Sequence, residues 1–564
     1  MRSFGELFDA ALQHHEAGRL DAAVALYEQA LALAPDDLPA RANLAIALAR
    51  LDRHLEASVA FERALALRPD DATLRGNLVI TARNAGASLL AQGNAAEAAS
   101  AFRRALAAAP EDAGAQAGLG ATLAHLGMFE AAEAALRAAL AHAPGDARLH
   151  HNLAKVLQSL DRPADAIAAC RRAVALQPEL VEAWCLLGIL LRHDSELDGA
   201  LAAFEAAVAA APEHAPAQLG LGSVLHDLGR LDAAIACFQR AQALDPSDDE
   251  APRCEAVSLL LKGDLVAGWA KFDARGRPVD ALPWAGDDPG GRTILIYAEQ
   301  GLGDTLQFAR FAPIVAARGA RVILQVQRPL VGLMRSLRGV EQVIAARQTP
   351  PRFDLQAPLM SVPRILGTSL ATLPAEVPYL AAAPEQIARW AALIGEHARA
   401  AGAGPRIGLV WAGGPGFWRD RERSMPLDRL GALFGPLLGI GRACWFSLQV
   451  GAAAQHIARL PAGRVVDLSA LLTDYGETAA AMANLDLLIS VDTSIVHLAG
   501  ALGKPVWVLV PFAPGFLWLL GRDDSPWYPT MRLFRLPSPR GWEPALARVA
   551  AALAAWLADG PRRQ

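Results

Sequence analysis

The stretch 200–246 reads ALAAFEAAVAAAPEHAPAQLGLGSVLHDLGRLDAAIACFQRAQALDP, and its organisation decides the fold of the first half of the chain. The same figure occurs in it twice: Ala200, Phe204, Ala207 and then Pro212, followed by Ala234, Phe238, Ala241 and then Pro246, each copy displaced by 34 residues. Working outward, proline also stands at Pro35, Pro69, Pro110, Pro144 and Pro178, so that the seven are spaced by 34, 41, 34, 34, 34 and 34. A small turn residue keeps the same phase at Gly18, Asp52, Gly93, Gly127, Asp161, Ser195, Gly229 and Gly263, 17 residues before the next proline where one follows. The small–aromatic–small figure recurs at Ala23, Tyr27, Ala30; at Ala57, Phe61, Ala64; and at Ala98, Phe102, Ala105. Alanines let helices approach closely while the ring fills the gap to the next helix, so each unit is buried only by its neighbours.

This period and figure resemble the tetratricopeptide repeat. The resemblance implies an all-α superhelix over residues 1–275, built from seven repeats and a capping half-repeat, Gly263 to Phe272 with Trp269. Trp184, Gly188, Gly120, Leu221 and Gly222 mark the first helices. Seven extra residues around Arg83 to Leu89 amount to about two helical turns, which predicts a lengthened first helix in the third repeat. Such superhelices present a surface suited to an extended protein partner. Asn43, Asn77 and Asn152 share one position of the first helix, where an amide can hydrogen-bond a peptide backbone without reading its side chains. This resembles the asparagine ladder of O-GlcNAc transferases. A tolerated polar residue on a solvated face is the equal alternative, since Gly118, Leu186 and Gly220 interrupt the ladder.

At 564 residues the chain exceeds a single core, and roughly three or four domains are expected. The apolar fraction of 53% owes much to alanine, which suits packed helices. Val506 to Leu520 is apolar for 15 residues but broken by Pro511, Pro514 and Gly515, short of the roughly 20 that span a bilayer, so no membrane insertion is predicted. His14, His15 and Glu16 stand where a signal peptide carries its apolar run, and a cytoplasmic protein is expected. Cys170, Cys185, Cys237, Cys254 and Cys444 contain no C-x-x-C pair and read as reduced core thiols rather than a disulfide or zinc framework. A net charge of −5 leaves no basic footprint for nucleic acid.

After residue 275 the pattern changes. Residues 276–291 form a turn-rich linker, with Gly276-Arg277-Pro278 and Asp287-Asp288-Pro289-Gly290-Gly291. Short β-rich runs then alternate with helical stretches: Thr293 to Tyr297, Arg321 to Val326, Ile407 to Trp411, Cys444 to Leu448, Leu487 to Val491 and Val506 to Val510. Parallel sheets covered by helices follow from that alternation. Two Rossmann-like halves are expected, at 292–385 and 386–564, with the break between Pro378 and Pro405.

Three segments carry the chemistry. In Ala298-Glu299-Gln300-Gly301-Leu302-Gly303-Asp304-Thr305, a strand runs into a helix whose first amides face outward to an anion or a sugar. Leu306 breaks the dinucleotide fingerprint there. Ile407 to Gly414 opens the second half and leads into Arg419, Arg421 and Arg423, residues suited to phosphate, although a solvated loop interleaved with Asp420 and Glu422 is the commoner meaning of any one of them. Ser490 to Pro505 reads as strand, polar turn, helix and strand. Thr493 or Ser494 can cap that helix, and its N-terminus suits a nucleotide diphosphate. His497 in its first turn can reach a phosphate or ribose, or be incidental to a capped helix.

Together these segments, across about Gly291 to Leu557, resemble the heptosyltransferases of glycosyltransferase family 9. The resemblance rests on the G-D-T at Gly303 to Thr305 and on D-T-S-x-x-H-L-A at Asp492 to Ala499, where that family has D-S-G-x-x-H-L-A; Ser494 departs from its glycine. It implies a GT-B enzyme with the nucleotide sugar in the second half (Arg419, Arg421, Gln449, Asp492, Thr493, Ser494, His497) and the acceptor at the first (Glu299, Gly301, Gly303, Thr305). Gln449 suits the base or ribose, or is a plain surface glutamine. Between Gly291 and Gly395 there is no histidine, and of the carboxylates only Glu299 and Asp304 sit on the loop after a strand, so Asp304 is the candidate base, as at the matching family position; helix capping is its alternative role. No D-x-D appears and no metal or cofactor is expected beyond the nucleotide-sugar cosubstrate. The fusion to repeats also resembles bacterial flagellin glycosyltransferases and O-GlcNAc transferase, which implies a protein acceptor held by the repeats. An inactive repeat scaffold and an enzyme acting on a cell-envelope glycan are the alternatives.

Overall fold

The structure is a computed structural model that describes residues 2–272, 282–400, 404–414, 416, 419–440 and 442–559. It divides into two compact units, Met1–Leu221 and Gly222–Gln564. The division falls inside helix Ala215–Asp227, so the last helices of the array group with the α/β part. The expected end of the array at 275 and the first part of the linker, 276–281, lie outside the described residues.

Residues 2–272 contain sixteen helices, arranged as eight helix–turn–helix pairs. The phased turn residues explain themselves: all eight, from Gly18 to Gly263, have φ between +54° and +96° at the end of a first helix, the left-handed conformation that favours glycine and tolerates aspartate. Each proline follows a second helix, where the helix must stop. Asp37, Asp71, Asp112 and Asp146 then cap the next first helix with their carboxylates. Six side chains, drawn from arginine, glutamine, histidine and tryptophan, make one repeated bond to a proline carbonyl six residues earlier: Arg41, and Arg75, Gln116, His150, Trp184 and Gln218, the last five at 2.6–3.2 Å.

The aromatic rings are held between glycines. A methyl at Gly86 or Gly118 would come within 2.8 or 2.2 Å of Phe102, and one at Gly188 or Gly220 within 2.5 or 2.0 Å of Phe204. The third first helix, Ala72–Ala91, has 20 residues where the other first helices have 13, which places the seven extra residues as expected. The expected capping half-repeat is instead the second helix, Leu265–Phe272, of a complete eighth pair whose first helix is Glu250–Lys262. That first helix contains no tryptophan or glycine of the kind that marks the first helices of earlier repeats.

The α/β part has two parallel sheets. The first contains β1 (Thr293–Tyr297), β2 (Arg321–Val326), β3 (Val340–Ala345) and β4 (Leu355–Pro358) in the order β3-β2-β1-β4. The second contains β5 (Arg406–Val410), β6 (Cys444–Ser447), β7 (Val465–Asp467), β8 (Leu487–Val491), β9 (Val506–Val510) and β10 (Met531–Arg535) in the order β10-β9-β8-β5-β6-β7. Both are doubly wound. The order reverses between β1 and β4 and between β5 and β8, and it is outside the C-terminal ends of strands at such reversals that open α/β sheets bind ligands. Helix Pro384–Ala400 belongs with the second sheet: Trp390 Nε1 and Gln386 Nε2 each donate to Glu477 of helix Tyr475–Ala483, at 2.8 Å.

Among the described residues no helix is long and apolar enough to cross a membrane. None of the five cysteines is in a disulfide, and burial pushes the Cys170 and Cys185 thiols up to about 12 and about 11.

Candidate functional site

At the first reversal, the loop after β1 is tied to the loop after β4. Glu299 accepts from the Leu359 and Met360 amides at 3.1 and 3.2 Å, so this carboxylate fastens two loops rather than facing an acceptor. Asp304 turns Oδ2 back onto the Gly301 N–H at 3.2 Å, the capping geometry named as its alternative role. Thr305 is buried and spends its hydroxyl on the Gly301 carbonyl and Gln327 Oε1. At Gly303 the two halves come close: a methyl there would lie 3.1 Å from His497 Cδ2 and 3.4 Å from Ser494 Cα. Helix Leu302–Phe308, carrying Asp304, is thereby set against helix Ser494–Ala501.

At the second reversal, the loops after β5 and β8 hold Trp411–Gly414 and Asp492–Ser494. Burial pushes the Asp492 carboxyl above the usual carboxylate range, opposed by the nearby Trp518 indole N–H and by the charge of Arg423. Arg423 also lies over the loop after β5, where a methyl on Gly413 would fall 2.6 Å from its Nη2, and it pairs with Asp420 at 3.1 Å. Thr493 occupies the cap position of helix Ser494–Ala501 without a side-chain cap bond. Ser494 Oγ is 2.6 Å from the Tyr475 hydroxyl, a pairing open to this chain because it has serine where the resembled family has glycine.

His497 departs from its expected role. It is 6% exposed, stacks on Trp518 (5.5 Å, 17°) and places Nδ1 3.1 Å from Gln307 Oε1 of the first half. Burial, and then the charge of Arg310, pushes its imidazole down to about 3, so it is neutral near pH 7 and offers phosphate no positive charge. Arg310 is itself buried, with its guanidinium against the Tyr379 and Tyr528 rings at 4.6 and 4.4 Å.

Three of the expected donor ligands have surroundings other than those expected. Gln449 is buried, and its amide is consumed by backbone: Oε1 accepts from Trp411 and Ala412, and Nε2 donates to Ala412 and Val450. It joins the loops after β5 and β6 and is withdrawn from base or ribose recognition. Arg419 is withdrawn too, because it forms a buried ion pair with Asp227 at 3.0 Å and bonds Glu422 at 2.7 Å. Arg421 is exposed. The cation that reaches the site is Arg423, named in the sequence beside the other two but not distinguishable from them until helix Asp420–Arg423 is folded over Gly413. In the array, Asn43, Asn77 and Asn152 are half-buried. Asn43 bonds the Tyr27 hydroxyl, while Gly118 and Gly220 meet Phe102 and Phe204 16 residues earlier, the same offset as Asn43 from Tyr27. This position therefore packs on the preceding ring.

Trp518, Gln307 and Tyr475 escaped sequence reading. The only signal for Trp518 was its place in the apolar run 506–520, which bears on membrane spanning and not on a site. Among the described residues no group of histidine, cysteine and carboxylate side chains is arranged to hold a metal.

Comparison with known proteins agrees with the helical part. One tetratricopeptide repeat profile matches residues 14–78 and 89–156, and a second matches 151–213 and 194–249. The chain is 29% identical over 336 residues to Protein FlbA of Caulobacter vibrioides; the match takes in 53% of this chain and spans about half, 54%, of that protein. Among solved structures it is similar to YrrB, described as a TPR protein with an unusual peptide-binding site, at 25% identity and a TM-score of 0.29, covering 34% of this chain and 96% of that one. It is also similar to MamA of Desulfovibrio magneticus, at 23% identity and a TM-score of 0.28, covering 30% and 97%. The residues left between the matches, 79–88, fall in the lengthened helix Ala72–Ala91. Residues 14–78 and 89–249 of this chain are tetratricopeptide repeats.

Proposed function

We propose that the chain is a glycosyltransferase that moves a sugar from a nucleotide sugar to a protein acceptor held by the repeats. The observation that carries this reading is the approach of Gly303 to Ser494 and His497, which brings the loop at the first sheet's reversal to the helix N-terminus at the second's. A donor lying between the loops after β5 and β8 has its diphosphate at Arg423 and the amides of helix Ser494–Ala501, where a helix N-terminus and a guanidinium both favour anionic oxygen. Asp304, one residue from Gly303, takes the proton from the acceptor hydroxyl as that oxygen attacks the anomeric carbon. The bond from that carbon to the phosphate oxygen breaks, and its electron pair leaves with the nucleoside diphosphate. Arg423 and the helix dipole carry the charge that develops there, without a metal.

The protein acceptor is supported by the repeats and by the resemblance of the whole architecture to flagellin glycosyltransferases and O-GlcNAc transferase, with flagellin serine or threonine as the acceptor group. Thermal unfolding with millimolar ADP, UDP, GDP and CMP in turn tests the donor site. A nucleotide at 100 times its dissociation constant adds about 2.7 kcal/mol to the part that binds it. Stabilisation of the wild type and not of Ser494→Trp, whose ring would fill the space beside Gly303, is the expected result. Silence with all four nucleotides would leave a scaffold.

A further inference from the structure

We propose that the last helix of the repeat array is a structural part of the donor side of the cleft: Trp269 seats the turn Phe516–Trp518, and Trp518 is the positioning residue for Asp492 and His497. The proposal rests on the glycosyltransferase reading above and deepens it.

Trp269 lies on helix Leu265–Phe272 and is 1% exposed. It meets Phe308 of the first half edge-on (5.5 Å, 89°) and Phe516 of the second half edge-on (5.6 Å, 88°). One side chain of the array thus touches both halves of the α/β part. Its buried indole N–H has no partner among the described residues. That cost is avoided by a smaller apolar ring, so the contacts on both sides must offset it.

Phe516 begins the 3-10 turn that ends at Trp518. From the other side the turn is fastened by Arg535 of β10, whose Nη2 donates to the Trp518 carbonyl at 2.7 Å while its Nε holds Arg522 O at 2.8 Å. Leu519 follows with φ +49°, a region disfavoured for leucine. The turn is therefore held by what surrounds it, not by local preference. Trp518, 2% exposed, lays its ring parallel to the His497 imidazole, and its indole N–H beside the Asp492 carboxyl favours the ionised form of that acid. Both residues belong to the segment that begins the donor loop after β8. The path from the repeats to that loop runs from the Trp269 ring to the Phe516 ring and then along the turn Phe516–Trp518.

The test measures binding of ADP, UDP, GDP and CMP to the full chain by calorimetry, with wild type, Trp518→Phe and Trp269→Leu. Trp518→Phe keeps a ring over His497 and removes the indole N–H beside Asp492, a polar interaction whose loss is worth about tenfold in Kd. The expected result is that rise at unchanged stoichiometry, with a severalfold rise for Trp269→Leu. Damage that merely unfolds part of the sample lowers the stoichiometry and leaves Kd where it was, and that result overturns the inference while the transferase reading stands. A rise with Trp518→Phe alone removes the array helix from the site and overturns the proposal as stated. Wild type that binds none of the four overturns both. Should Trp269→Leu fail to fold, Phe516→Leu reports the same seat, and Trp269→Phe is expected to restore near wild-type Kd.

Discussion

Replacing Gly220 by alanine sets two effects of comparable size against each other. In the interior of a helix, alanine is favoured over glycine by about 1 kcal/mol. Against this, the new methyl would stand 2.0 Å from Phe204 Cε1 and 2.5 Å from its Cζ. The ring is 1% exposed, and it has little room to retreat, because its other face lies against Gly188, where a methyl would itself fall 2.5 Å from Cε2. Overpacking a rigid site costs about 1–3 kcal/mol, and with both faces blocked the upper part of that range applies. The net expectation is a loss of about 1–2 kcal/mol. Gly76 is the control: it lies inside helix Ala72–Ala91, is exposed, and has no atom within 4 Å of a notional methyl. Gly76→Ala should gain about 0.5–1 kcal/mol. Urea unfolding followed by far-UV circular dichroism, with hydrogen exchange on residues 197–221, separates the two variants. A Gly220→Ala protein as stable as Gly76→Ala would refute the sandwich of ring between glycines on which the repeat packing rests.

Other outcomes follow from the same geometry. Ser195→Gly should stabilise the array by about 1 kcal/mol, because Ser195 sits at φ +65° where glycine carries no Cβ penalty; denaturant midpoints check it. Arg419→Ala should destabilise the second unit by about 3–5 kcal/mol through the buried Asp227 left behind, whereas Arg423→Ala should leave the melt nearly unchanged and weaken nucleotide binding. Asp304→Asn should lower kcat by about 100- to 10,000-fold while nucleotide stabilisation persists. His497 titrates at about 3 when folded and about 6.5 when unfolded, so the unfolded chain binds the extra proton between those values and stability falls on acidification. From pH 6.5 to 5 the loss is about 1.5 kcal/mol, and His497→Gln, measured by denaturant titration at both pH values, should not show it.

The array was legible because a repeat states its own rules many times over: the phase of Gly18, Asp52, Gly93 and their successors is the phase of a left-handed turn. The eighth pair was half hidden because Glu250–Lys262 lacks the markers of the others. Six strands were legible as compact β-rich runs. The four missed strands are weaker signals: β3 carries the exposed polar pair Glu341-Gln342, β4 contains proline, β7 has three residues, and β10 mixes arginine with apolar residues. Segments of the site were legible, since Gly303 and Ser494 do come together, but the partition of labour among its polar residues was not. Whether Arg419 or Arg423 reaches Asp492 depends on which one finds Asp227, 192 residues earlier in the chain. Gln449 reads as a surface residue until its amide is seen between two loops.

The most direct test of the central claim is mass spectrometry of an acceptor protein. Purified full-length chain is incubated with flagellin from the same cells and, in turn, UDP-, GDP-, ADP- and CMP-linked sugars, with Asp304→Asn in parallel. The account predicts one donor that adds the mass of its sugar to flagellin with wild type and not with Asp304→Asn, with release of the matching nucleotide. No mass gain and no nucleotide release with any donor, from a chain that still binds flagellin, would contradict it.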